Sequence, residues 1–294
     1  MNSSLERMMP HIGRPDGARI YYEVQGEGYP LLLFAPGAIN SQVSFWGISA
    51  ISPYDFADEY LIIGMDQRNA EKSPAPLEAP TWELHAADQR AVLDAVGVER
   101  CHLWGGCIGV AFNLKFIQEN PDRVTAAVCQ DVVGLVAGVN TRATFFAMFE
   151  PTVETARRGG MAAVVAAALE NPTFMANNAA GPFAARIASD ERFRDEVLAL
   201  DPAAYERIIR AYDDQLWGAH GAYMSVEESF VRECPVPLLV LPGTDEFHPT
   251  ELAQRLCREA PRATCLAPDC RSPEKIEATK ETIRRFLREH TPRA

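Results

Sequence analysis

Residues 103–112 read LWGGCIGVAF and join an apolar run to a run with helical spacing. Two glycines precede Cys107, and Ile108 and Gly109 follow it. Glycines remove the Cβ clashes that block a sharp reversal of the chain, and the residue at such a turn often has strained φ and ψ angles. The stretch therefore predicts a strand, a tight turn that presents the Cys107 thiol, and a helix.

Strand-like and helix-like runs alternate on both sides of this turn. The further runs with strand character lie at 18–24, 31–37, 61–66, 124–131, 236–243 and 263–268. Residues 82–97 have helical spacing and end on a glycine, and a final helix is expected to extend to about His290. This alternation predicts an α/β fold whose mostly parallel sheet is covered by helices on both faces.

Residues 137–225 interrupt the alternation with Ala-rich and Phe-rich helical segments and little strand signal. Ligands of open parallel sheets bind at the C-terminal ends of the strands, so an insertion at this point can roof such a site. We expect an α/β core made of residues 1–136 and 226–294 and a helical cap insertion made of residues 137–225. The cap residues that could line an apolar pocket are Phe145, Phe146, Met148 and Phe149.

Composition and charge narrow the class of protein. The chain has 294 residues, of which 47% are hydrophobic, and it has no apolar run of membrane-spanning length. A net charge of −12 argues against a nucleic-acid partner, because phosphate binding needs clustered Lys and Arg. The seven cysteines lack metal-ligand spacing, and the N-terminus lacks the order of a signal peptide. We expect a cytoplasmic protein with reduced thiols and no membrane partner.

The motifs, taken in order, resemble those of the α/β-hydrolase superfamily, with a cysteine in the place of the usual serine. Gly105 to Gly109 (GGCIG) resembles the family's nucleophile elbow, and DQRNAEKS at 66–73 is similar to its Asp-x-Arg-Gly-x-Gly-x-Ser loop. The run 120–128 matches the stretch that follows the elbow helix, and 235–249 resembles the strand and turn that carry the acid. The resemblance covers nearly the whole chain and implies the α/β-hydrolase fold.

The resemblance implies that Cys107 is the nucleophile. The positive end of a helix dipole favours the thiolate form of a thiol at a helix N-terminus. The backbone N–H groups of Ile108 and Ala38 are expected to form the oxyanion hole. Ala38 follows Pro36-Gly37, which replaces the family's usual His-Gly pair.

The positions of the candidate acid and base match the family pattern less closely than the elbow does. Asp245, in the turn after VLPGT, matches the position of the family's acid, and Glu246 and Asp131 are alternatives. Relatives carry a histidine after the last strand, where this chain has Asp269 and Cys270. The histidines considered as substitutes are His248 first, then His220 and His85. His102, His290 and His11 are not favoured, and His11 is expected to precede the fold.

The expected function is attack of Cys107 on an ester, thioester or lactone carbonyl, ending in hydrolysis or acyl transfer. Asp245 would orient His248, which would act as the base. A small-molecule substrate is expected, with no metal or organic cofactor, and a homo-oligomer is left open. The alternatives are a lyase or carbon–carbon bond enzyme on the same fold, and a non-catalytic ligand binder that has lost the usual histidine.

Overall fold

A computed structural model describes residues 10–217 and 220–293 of the chain. In this part, eight strands form one sheet in the order β1-β2-β4-β3-β5-β6-β7-β8. The strands are β1 (His11–Gly13), β2 (Arg19–Gln25), β3 (Tyr29–Phe34), β4 (Tyr60–Met65), β5 (Cys101–Gly106), β6 (Val124–Gln130), β7 (Leu238–Leu241) and β8 (Ala263–Cys265). β1 and β2 pair antiparallel to their neighbours, and all the other pairs are parallel.

Helices follow most of the strands. They are α1 (Trp82–Val96), α2 (Ile108–Glu119), α3 (Arg142–Phe146), α4 (Glu150–Glu170), α5 (Ala184–Ser189), α6 (Glu191–Leu198), α7 (Pro202–Trp217), α8 (Glu228–Glu233), α9 (Thr250–Glu259) and α10 (Ile276–His290). The segment between β3 and β4 contains short 3₁₀ helices, of which Val43–Ile48 is the longest. No helix in the described ranges is both long and apolar enough to cross a bilayer.

The sheet is buried on both faces, as the continuous apolar runs predict. Along β3, Leu32 and Phe34 pack into one core cluster with α2, while Leu31 and Leu33 pack into a second cluster on the opposite face with α10. Helix α2 follows β5 at the C-terminal edge of the sheet. The predicted fold class, a mostly parallel sheet with helices on both faces, is therefore confirmed.

The chain between β6 and β7 has helices and no strand in its described residues. Helix α4 bends at Gly160, which has φ 70° and ψ −175°. The insertion is tied to the core by Arg186, which donates to the Asn69 side chain at 2.6 Å and to the Ala75 carbonyl at 2.9 Å. The exact cap boundaries at 137 and 225 stay a prediction.

One small expectation is wrong. His11 was expected to precede the fold, but it lies in β1 and pairs with Tyr21 of β2. Three residues with weak alternation give little strand signal, and the pairing with β2 decides their conformation.

Candidate active site

The turn around Cys107 is a sharp reversal between β5 and α2. Cys107 is the N-cap of α2 and has φ 55° and ψ −121°, which a residue with a Cβ rarely adopts. Its amide donates to the Gln130 carbonyl at 2.9 Å, and its carbonyl accepts from the Val110 amide at 2.9 Å. The strained residue is thus held from both sides, and its thiol is half-buried.

Two of the elbow glycines allow backbones to pack directly on each other. A Cβ on Gly105 would lie 2.1 Å from the Gly109 carbonyl oxygen, and a Cβ on Gly109 would lie 2.0 Å from the Phe34 carbonyl oxygen. Both distances are too short for any contact between a carbon and an oxygen atom. The close packing of β5, α2 and β3 therefore requires glycine at these two positions.

His248 and Asp245 lie together in the turn after β7, on the other side of the thiol. Both carboxylate oxygens of Asp245 lie 2.9 Å from Nδ1 of His248. Oδ1 of Asp245 also accepts the amides of Phe247 and His248, at 2.9 Å each. A separation of three residues therefore does not prevent contact, because the carboxylate caps its own turn.

The second ring nitrogen of His248, Nε2, is the atom available to interact with Cys107. Nε2 is buried and makes no hydrogen bond of regular geometry with the described residues, yet the Cys107 sulfur interacts with this ring. Catalytic contacts are often poorly aligned without substrate, so the lack of a regular hydrogen bond does not remove His248 from the site.

The charges around the ring favour the imidazolium. Burial works to lower the pKa of His248, but Cys107 and then Asp245 outweigh it and raise the pKa to about 10. Burial also works to raise the pKa of Asp245, yet the hydrogen bond from His248 holds it below its usual value. Because the Asp245 side chain is 59% exposed, solvent screens this pair. Cys107 is therefore the stronger partner of His248.

The alternative acids have other contacts. Asp131, directly after β6, forms a bidentate ion pair with Arg271. The Glu246 side chain is exposed, and its backbone carbonyl accepts from the Asn140 amide group at 2.8 Å. Of the three candidate acids, only Asp245 contacts a histidine among the described contacts.

The positions where relatives carry the histidine do not reach the thiol. Asp269 is exposed and pairs with Lys275, and Cys270 is buried in the core cluster beside α10. The next residue, Arg271, extends toward the sheet edge and holds Asp131. A charged residue beside the expected histidine position was the only sequence signal for this ion pair.

The five other histidines lie away from Cys107 in the described structure. The side chain of His85 is buried against Trp82 and Phe112, and burial lowers its pKa to about 3. The rest have these partners: His11 with the Lys72 carbonyl, His102 with Thr125 and Thr291, His220 with Glu227, and His290 with the Phe286 carbonyl. His220 and His85 therefore do not replace His248 in this geometry.

A cavity of about 380 Å³ opens over Cys107. Its polar side chains are Ser49, Cys107, Gln130, Asp131 and His248. Its apolar side chains are Phe45, Trp46, Ile48, Val133, Phe145, Met148, Phe174, Met175, Trp217 and Phe247, with Pro36 and Ile108 near the thiol. No Lys or Arg of the described residues lines this cavity. The volume lies at the low end of the range for small-molecule sites.

The insertion supplies about half of the apolar wall. Phe145 and Met148 line the cavity as expected, whereas Phe146 and Phe149 pack in the core. Phe149 stacks on Phe174, with ring centroids 5.1 Å apart, and so supports a wall residue from behind.

Several wall residues were not singled out from the sequence. Trp46 and Ile48 come from the 3₁₀ helix Val43–Ile48, which is too short to give a periodic signal. Trp217 ends α7, and its helical spacing indicates burial without showing which cavity it reaches. Only the tertiary arrangement brings them together.

Of the two expected oxyanion donors, Ile108 lines the cavity and Ala38 directly follows two wall residues. Ile108 is the first residue of α2, so its amide has no acceptor inside the helix. Ala38 begins the short helix Ala38–Asn40, directly after Pro36 and Gly37 of the cavity wall. Their roles stay predictions, as do the catalytic roles of Cys107 and the residues after β7.

Comparisons with known proteins agree with this architecture. A zearalenone hydrolase of Bionectria ochroleuca is 26% identical over 121 residues, which are 41% of this chain and 46% of the relative. The match thus spans less than half the length of that relative. An esterase from Thermogutta terrifontis has a TM-score of 0.60 and 19% identity, over 96% of this chain and 97% of that chain.

An enol-lactonase from Burkholderia xenovorans has a TM-score of 0.59 and 19% identity, over 95% of this chain and 99% of that chain. At such identities, the solved structures show the fold alone. A family model described as the alpha/beta hydrolase fold matches residues 30–192, which is more than half of the chain. With the sheet order and the elbow already described, this match shows that the chain belongs to the α/β-hydrolase fold family.

Proposed function

We propose that the protein is a hydrolase that cleaves an ester, thioester or lactone through a covalent thioester on Cys107. His248 carries the proton, and Asp245 orients the His248 ring. The observation that carries the proposal is the position of the His248 ring, which lies between Cys107 and Asp245 at the wall of an apolar cavity. The names of the similar proteins, which include hydrolases, an esterase and a lactonase, support the same reaction class.

In the first half-reaction the Cys107 thiolate attacks the carbonyl carbon. A carbon–sulfur bond forms, and the carbonyl oxygen becomes an oxyanion that accepts hydrogen bonds from the Ile108 and Ala38 amides. The intermediate then collapses, the bond to the leaving group breaks, and the leaving atom takes the proton of the His248 imidazolium. The products of this step are an acyl-thioester on Cys107 and a neutral His248.

The second half-reaction needs a base, and acylation of Cys107 lowers the pKa of His248 so that the ring can act as this base. Cys107 is the largest influence that raises the pKa of His248, and conversion of the attacking thiolate to a neutral thioester removes this influence. Burial, which works to lower this pKa, then meets opposition mainly from the exposed Asp245. The pKa of His248 therefore falls in the acyl-enzyme, and the ring can take a proton from water. Water oxygen bonds to the acyl carbon, the carbon–sulfur bond breaks, and the thiolate–imidazolium pair returns.

The insertion has a defined part in this proposal as a cap. Its aromatic side chains and the 3₁₀ segment at residues 43–48 enclose the acyl group and separate it from bulk solvent, so that water reaches the thioester only beside His248. A nucleophile better than water, such as an amine or a thiol, can complete acyl transfer at the same thioester. Added nucleophile therefore partitions the acyl-enzyme between hydrolysis and transfer.

Intact-protein mass spectrometry tests the proposal on a panel of p-nitrophenyl esters and aryl thioesters. We expect an acyl adduct on Cys107 that accumulates in His248→Ala, because its deacylation lacks a base. Cys265→Ser, which changes an exposed cysteine away from the cavity, is the matched control and should acylate like the wild type. Turnover without any adduct would favour the lyase alternative. Thermal stabilisation without turnover would favour the ligand binder.

A further inference from the structure

We infer that Arg271, through its ion pair with Asp131, is a positioning residue that holds the turn carrying His248 in register with Cys107. This inference rests on the proposed function of His248 and adds two residues to it. Neither residue has an assigned role in the reaction, and Arg271 lies outside the cavity wall.

A continuous series of contacts joins the nucleophile to the turn. The Cys107 amide donates to the Gln130 carbonyl, and the next amide, that of Asp131, donates to the Leu241 carbonyl at 2.9 Å. The Asp131 carboxylate holds the Arg271 guanidinium, which donates to the Pro242 carbonyl at 3.0 Å. Pro242 is the first residue after β7, so the ion pair fixes the start of the turn to the residue beside the elbow.

Packing at Gly243 shows how closely the ion pair approaches the base. A Cβ placed on Gly243 would lie 2.4 Å from Cβ of His248 and 3.0 Å from Oδ1 of Asp131. The histidine and the aspartate therefore converge on one glycine. Gly243 therefore lies directly between the ion pair and the residue that carries the base, so the packing of the turn depends on both.

The negative charge of Asp131 lies at the same cavity as His248, and Arg271 balances it. The charged groups that act on the His248 ring are Cys107 and Asp245. Asp131 lines the same cavity with Arg271 behind it, and Glu246 is exposed. Arg271 neutralises the Asp131 carboxylate at the cavity wall. Without Arg271, an unpaired carboxylate would favour the imidazolium and oppose loss of its proton in the acyl-enzyme.

The test compares Arg271→Met with Arg123→Met. Arg123 has the same kinds of contacts, with the Asp94 carboxylate and the Val98 and Glu99 carbonyls, at the opposite edge of the sheet. We expect Arg271→Met to lower kcat by about tenfold to a hundredfold with KM within about twofold, and to move the acidic limb of the kcat profile upward by about one pH unit. Arg123→Met should leave this limb in place.

Two further variants separate positioning from a merely structural role. Arg271→Lys keeps the charge and should keep the limb within about 0.3 pH units of wild type, with a partial loss of kcat because the bidentate contact is lost. Asp131→Asn/Arg271→Met removes both charges and should return the limb toward wild type. A limb that stays unshifted in Arg271→Met, or a loss of kcat equal to that of Arg123→Met, overturns the inference.

The same variants are titrated by NMR of labelled histidine, with the His248 signal assigned by its absence from His248→Ala. The midpoint of His248 should rise in Arg271→Met and return in the double variant. This readout needs no turnover. Absence of a wild-type acyl adduct therefore contradicts only the proposed function, and an unchanged midpoint contradicts only the role of Arg271.

Discussion

The elbow at Cys107 and the turn at His248 face each other across one cavity but are built differently. The residues that permit the elbow are contiguous in sequence: Gly105 packs on the Gly109 carbonyl, and Gly109 packs on the Phe34 carbonyl of β3. The turn depends on side chains far away in sequence: Asn140 holds the Glu246 carbonyl across 106 positions. A short motif therefore announces the elbow, whereas the orientation of the turn depends on the rest of the fold.

Under the proposed function, the comparison describes a catalytic histidine on a different loop of the same fold. A strained residue with positive φ at the end of a parallel strand leaves little freedom for the nucleophile. A base needs only to reach the sulfur from one of several loops at the same sheet edge. In this chain the loop after β8 has Arg271 in an ion pair, and the turn after β7 has the histidine.

The largest effect should come from removing the nucleophile itself. Cys107→Ala is expected to lower kcat by about four to six orders of magnitude, because no covalent intermediate can form. Steady-state kinetics and adduct mass spectrometry measure the loss. Peptide mapping after iodoacetamide near neutral pH should find Cys107 the most readily alkylated cysteine of the wild type. An inert Cys107 beside several reactive cysteines would contradict this view of the elbow.

Removal of the proposed base, His248, should have the second largest effect on turnover. His248→Ala is expected to reduce turnover by roughly two to four orders of magnitude, the usual contribution of a general acid–base group. The alkylation rate of Cys107 should also fall, because the adjacent imidazolium stabilises the thiolate. His220→Ala, a change near the end of the insertion, is the control and should change both rates little. If both rates barely change in His248→Ala, the turn is not the partner of the elbow.

A change in the elbow backbone tests whether the motif needs glycine at Gly109. Gly109→Ala should lower the free energy of unfolding by about 1–3 kcal/mol or more, because its Cβ would collide with the Phe34 carbonyl. Gly47→Ala is the matched control, since a Cβ there meets nothing within 4 Å, and its effect should stay within about 0.5 kcal/mol. Denaturant unfolding measures both. Equal stabilities of the two variants would show that the close approach is not required.

The smallest effect is expected at the exposed acid of the turn. Asp245→Asn removes a negative charge beside His248, so the pKa of His248 should fall below its value of about 10, by about one pH unit or less because solvent screens the pair. Histidine NMR titration measures the midpoint. Glu246→Gln, which changes the exposed neighbour, should leave it unchanged. An upward or absent shift in Asp245→Asn would remove Asp245 from the role of orienting acid.

Much of the fold followed from local pattern. Continuous apolar runs predict strands buried on both faces, and β3, β4 and β7 are such strands. The 3₁₀ segments between β3 and β4 could not be predicted, because short elements lack a period and take their conformation from packing. Cavity residues such as Trp46 and Met175 were missed for the same reason.

The sequence by itself determined the alternation of strands and helices, the helical nature of the insertion and the reversal that presents Cys107. These features depend on side chains and glycines within a few positions of each other, where local sterics and apolar period act. Only the tertiary structure decided that the His248 ring meets the thiol and that Arg271 pairs with Asp131. Such contacts join loops that are distant in the chain, and it is the packing of the parallel strands that brings their C-terminal ends to one edge.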